Sequence, residues 1–142
     1  MRLSTKSTYG LRAMLNIALN GRTGAMSVAD ISRREGISTA YLEQLLNRLR
    51  RASLIKSVRG PKGGYVLLRG AADITVGDIV KALEGGIYPA HCVSADPSVY
   101  AVCRKSKGCV PKIVWHKLYK AINDCLESMT LKDLCAEAKK IG

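Results

Sequence analysis

The sequence predicts a mainly α-helical fold with a small β-hairpin wing and a long C-terminal helix. Three observations carry this. Apolar residues recur at helical spacing in several segments, most of them opened by a capping Ser or Thr. One pair of short Val/Leu/Ile-rich runs brackets the breaker-rich stretch Arg59-Gly60-Pro61-Lys62-Gly63-Gly64. The cations crowd into the first half: residues 1–70 hold 13 Lys/Arg against 3 Asp/Glu, a net of +10, whereas residues 71–142 hold 10 against 8, a net of +2.

In chain order, Leu11, Met14, Leu15 and Ala18 place a first helix at about 5–20, ended by Gly21-Arg22-Thr23-Gly24. Ser27-x-x-Asp30 caps a short helix to about Arg34, and Gly36 permits a tight turn. Ser38 or Thr39 opens a longer helix to about Ala52. Runs 54–58 and 65–68 form the hairpin. Thr75-x-x-Asp78 caps the next helix, stopped by Gly85-Gly86. Residues 87–108 lack a period and contain Pro89, Pro97 and Gly108, which predicts a long loop, a functional or disordered kind of segment. Val114, Trp115, Leu118, Ile122 and Leu126 mark an amphipathic helix at about 110–128. Thr130-x-x-Asp133 opens a last short helix. Three parts follow: a winged helix-turn-helix at 1–86, a cysteine-bearing loop at 87–109, and a pairing helix with a C-terminal helix at 110–142.

A hydrophobic fraction of 47% is enough for a core, built without Phe and with one Trp. No stretch approaches the roughly 18 apolar residues of a membrane span. The N-terminus turns polar at once, without the apolar region of a secretory signal, so the expected compartment is the cytosol. There the five cysteines serve as thiols, metal ligands or redox groups rather than disulfides. The localised positive charge calls for a polyanion, and nucleic acid is the usual one. No nucleotide-binding loop appears, and neither His91 nor His116 has an obvious catalytic partner set, so nothing supports an enzyme.

The helix at 38–52 divides its labour. Leu42, Leu45, Leu46 and Leu49 share one face and belong to the core. Ala40, Glu43, Gln44, Asn47 and Arg51 lie opposite, with Tyr41 and Arg48 at the edge. Gln offers two bonds to adenine, and Glu accepts from cytosine, so this face suits base edges in a major groove. By itself it reads equally as a solvated surface. The short helix before it and the basic hairpin after it favour DNA. Glycines keep the hairpin tip thin, Pro61 stiffens it, and Arg59 and Lys62 can reach a minor groove or its phosphates.

Met1 to Lys6, Tyr41-Leu42-Glu43-Gln44-Leu45-Leu46, Ser57 to Tyr65 and Ile74-Thr75-Val76-Gly77-Asp78-Ile79 resemble the Rrf-two family of transcription regulators, over residues 1 to about 135. The resemblance implies a homodimer joined by the helix at 110–128, and a palindromic double-stranded DNA operator. Ser38, Tyr41, Glu43, Gln44 and Arg59 match the family's DNA-contacting positions. Thr39, Arg51 and Lys62 join them as candidates from the local reading. Glu43 matches the acidic residue with which some members discriminate between operator classes.

Cys92, Cys103 and Cys109 fall in or just after the loop at 87–108, while Cys125 and Cys135 read as small buried hydrophobes. Three thiolates on one segment can converge on iron or zinc, though their spacing matches no common zinc pattern and leaves unconnected thiols equally open. The resemblance implies more: cysteines between these two helices look like the ligands of the family's iron–sulfur members, whose cluster is usually [2Fe-2S]. Two departures stand out. The first cysteine interval is longer than the family's, and Lys112 occupies the position of a family histidine. The leading expectation is an iron–sulfur-sensing regulator of cluster-biogenesis genes. A nitric oxide- or thiol-sensing repressor is the alternative within the family, and an iron–sulfur carrier the alternative outside it.

Overall fold

The computed structural model describes residues 3–21, 23–94, 97–100 and 108–142, with 99 and 100 as backbone only. Its elements are α1 (Thr5–Leu19), α2 (Val28–Glu35), α3 (Thr39–Arg51), β1 (Ile55–Val58), β2 (Gly64–Leu67), α4 (Val76–Glu84), α5 (Pro97–Tyr100), α6 (Lys112–Glu127) and α7 (Leu131–Ile141). Short 3-10 turns occupy Ala71–Asp73 and His91–Val93. The expected loop at 87–108 therefore contains two brief helical turns, each too short to show a period in sequence.

The caps form as the sequence requires. Side chains of Ser4, Ser27, Ser38, Thr75 and Thr130 each accept a backbone N–H of the helix that follows. Thr75/Asp78 and Thr130/Asp133 complete reciprocal capping boxes. Gly36 ends α2 in the left-handed region, with φ 65°, making the sharp turn into α3.

The core lies where α1, α2, α3 and α4 converge over the hairpin. Met14, Ile31, Leu42, Leu46, Ile79 and Leu83 are fully buried there. The strands pair antiparallel, Ile55 opposite Leu67 and Val58 opposite Gly64. The wing is also tied to the segment before α2, because Met26 and Tyr65 exchange backbone hydrogen bonds at 3.0 and 2.9 Å. At Gly64 the chain takes φ 152°, and a Cβ would overlap the Met26 carbonyl, so only glycine allows this approach.

The C-terminal part divides in two. α7 folds back onto α1, and Leu131 is fully buried in the main core, its N–H donating to the Ile74 carbonyl at 2.8 Å. α6 behaves differently: it rests on α4 and the turn at 91–93, yet none of its residues is buried. Val110 before it and Ile113, Val114, Trp115 and Leu118 on it are exposed, while Ile122 and Leu126 are half-buried. For the same reason Cys125, expected to be buried, is exposed on α6. Cys135 is half-buried, and burial pushes its thiol pKa up. Among the described residues, no helix is long and apolar enough to cross a membrane.

Candidate nucleic-acid interface and cysteine segment

α3 presents its leucines inward, with Leu42, Leu45, Leu46 and Leu49 at most 1% exposed. This anchors the opposite face toward solvent. Ser38, Thr39, Ala40, Glu43, Gln44 and Arg51 are exposed. Gln44 and Arg51 are seven residues apart, hence nearly in line along the helix. Ser38 is engaged as the cap: its Oγ accepts the Tyr41 N–H at 3.2 Å, leaving its own proton for another partner.

Two residues at the edge of this face are held by their neighbours. Tyr41 is half-buried, edge-on to Tyr9 with ring centroids 6.1 Å apart, and its hydroxyl lies 3.2 Å from Thr5 Oγ1. Arg48 donates from Nη1 to the Leu83 carbonyl at 2.9 Å, so it serves the joint between α3 and α4. A cation at a helix edge reads the same in sequence whether it bends inward or outward.

The wing follows directly. Arg59 and Lys62 are exposed at its tip, and among the described residues neither forms an ion pair. Arg50 and Lys56 are further exposed cations on α3 and β1 that the motif reading passed over. Arg50 sits in a helix's last turn, where a cation is expected for the dipole alone.

The first helix is fastened beside this unit. Glu84 accepts hydrogen bonds from the Ser4 N–H, the Ser4 hydroxyl and the Ser7 hydroxyl at 3.1, 2.5 and 2.8 Å. Burial pulls the Glu84 pKa up, but the serine hydrogen bonds outweigh it and hold the carboxyl below its usual range.

Immediately past Glu84 the Gly85-Gly86 pair leads into the cysteine segment. Cys92 lies in the turn at 91–93 and Cys109 just before α6; both are half-buried free thiols. Cys103 lies outside the described residues. Among the described residues, no three His, Cys, Asp or Glu side chains gather as a metal site. The donor chemistry fits iron all the same: soft thiols stand at the two ends of one segment, with a third between them in sequence. His91 adjoins Cys92, and His116 lies exposed on α6.

A polar helix face set behind a sharp turn and beside a cationic β-hairpin defines a winged helix-turn-helix protein, the class to which DNA-binding regulators belong. The Rrf2 family model, described as an iron-dependent transcriptional regulator, matches residues 3–137. The chain belongs to this family of transcription regulators, which are not enzymes. It is 40% identical over 134 residues to the HTH-type transcriptional regulator IscR of Klebsiella pneumoniae, covering 94% of this chain and 79% of that one. Among solved structures it is similar to T. potens IscR, with 40% identity and a TM-score of 0.79 over 99% of this chain and 90% of that one. It is also similar to CymR, the global cysteine regulator of B. subtilis, with 36% identity and a TM-score of 0.78 over 96% of this chain and 98% of that one.

Proposed function

We propose that this chain acts in the cytoplasm as a homodimer that reads a palindromic operator through α3 and the wing. In this reading it senses iron–sulfur status and controls cluster-biogenesis genes. The observation that carries the reading is the exposed hydrogen-bonding face of α3, with Glu43 and Gln44 at its centre, beside the cations Arg59 and Lys62. Ser38, Thr39, Tyr41 and Arg51 complete the contact set. The apolar stripe of α6, with Val114 57% and Trp115 38% exposed, is covered by the same helix of a second copy.

Cys92, Cys103 and Cys109 would hold a [2Fe-2S] cluster. When bound, such a group would supply these cysteines with a tie sensitive to iron and oxidant supply. With Lys112 in the family's histidine position, a fourth ligand would be weakly held, as a sensor requires. A thiol-based reading has its own support, in the likeness to a cysteine regulator and in the free, half-buried thiols.

A visible absorption spectrum of the anaerobically purified protein tests this. A chromophore that disappears in each of Cys92→Ala, Cys103→Ala and Cys109→Ala, and persists in Cys125→Ala and Cys135→Ala, is the expected result. A colourless wild type that still binds its operator would remove the cluster and leave the thiol reading.

A further inference from the structure

The Thr75-Val76-Gly77-Asp78 stretch does more than cap α4. It receives the end of α6. Glu127, the last residue of that helix, accepts the Thr75 hydroxyl on Oε2 and the Lys81 ammonium on Oε1, each at 3.0 Å. Gly77 lies beneath it, and a Cβ there would overlap the Glu127 carboxylate. The hydrogen bond to Glu127 raises the Lys81 pKa, outweighing the opposing effect of burial. The backbone is tied at the same point, with the Val76 N–H donating to the Met129 carbonyl at 2.8 Å. The other end of α4 is held to the reading helix by Arg48 on the Leu83 carbonyl. α4 is thus a strut, bolted to α6 at its start and to α3 at its end.

We propose that Glu127 is a positioning residue that sets the angle between α6 and the DNA-reading unit, and through it the half-site spacing the dimer accepts. This rests on the dimeric reading given above. With no residue of α6 buried, its direction depends on its contacts with α4 and the turn at 91–93, and among these the Glu127 seat joins it to the start of α4. A helix of 16 residues is about 24 Å long, so a 5° error at the root displaces the far end by about 2 Å. If α6 joins two copies, every such error is doubled across the two-fold axis. One base pair of extra spacing moves a half-site by about 3.4 Å and turns it by about 35°, so errors of this size decide which operators fit.

The test measures affinity for operators whose half-sites are separated by the preferred spacing and by one or two base pairs more or less. Two variants disturb the joint differently. Glu127→Ala removes the carboxylate; Gly77→Ala leaves every charge in place and displaces it. The wild type should prefer one spacing by about tenfold or more, as a mismatched base pair would cost. Both variants should flatten this to less than about threefold, while affinity for a single half-site stays within about twofold. An exposed ion pair contributes little to stability, so the melting temperature of Glu127→Ala should move by no more than about 3 °C. A profile as sharp as wild type in both variants overturns the proposal and leaves the dimeric reading standing. A wild type indifferent to spacing overturns both.

Discussion

At the scale of single residues, the exposed face of α3 combines groups to which the proposed function gives distinct tasks. Glu43 is a carboxylate exposed where phosphates would approach, a position tolerable only if it accepts from a base donor such as cytosine N4. On the proposed function, Glu43→Ala should relax sequence preference more than it lowers affinity. On a panel of single-base operator changes, the base it contacts should cost wild type about 1–3 kcal/mol to replace, and the variant less than about 1 kcal/mol. An unchanged preference profile would show that Glu43 reads nothing. Arg59→Ala should instead weaken binding to all sequences, by about tenfold or more, and reduce the salt slope by about 1. Arg48 marks the limit of residue-level reading. Its sequence position at the helix edge is right, but the guanidinium turns to the Leu83 carbonyl, and only the neighbouring helix determines that.

At the scale of elements, α1 is latched to the end of α4 by Glu84. Its carboxyl is held below the usual range, so the latch contributes its full stability above the unfolded pKa of about 4.3. That contribution is lost as pH falls through the lower, folded value. Glu84→Gln should therefore melt a few degrees below wild type at pH 7, and the gap should narrow below about pH 4. Thermal melts from pH 3 to 7 check this; a constant gap would mean the carboxylate charge plays no part. α6 is the opposite kind of element. Its apolar stripe was readable from the spacing of Trp115, Leu118, Ile122 and Leu126, but the chain itself buries none of the four and leaves Trp115 and Leu118 each 38% exposed.

At the scale of the molecule, the proposed function draws on charge and on pairing together. The net of +10 in residues 1–70 lies in the part that carries α3 and the wing. Operator affinity should fall linearly in log–log terms with salt, at about −0.9 per phosphate neutralised. On the proposed function, two α3 helices about 34 Å apart, one DNA turn, would require two copies. Trp115→Glu places a charge in the proposed seam and should convert a micromolar dimer to monomer by sedimentation, with the salt slope roughly halved. A variant that remains dimeric would move the interface off α6.

The sequence by itself determined the local order of this protein. Ser and Thr caps, Gly36, the leucine face of α3 and the Gly-rich wing each act within a few residues, so spacing alone reveals them. The exposed polar face of α3 was legible for the same reason, since burying four leucines on one side of a helix exposes the other. What only the tertiary structure decided is how distant pieces meet. α7 returning to the main core through Leu131 on Ile74, Glu84 fastening Ser4 of the α1 cap, and Glu127 seated over Gly77 pair residues about 50 to 80 positions apart. Such pairings depend on which surfaces the packed helices bring together, and no period along the chain records it.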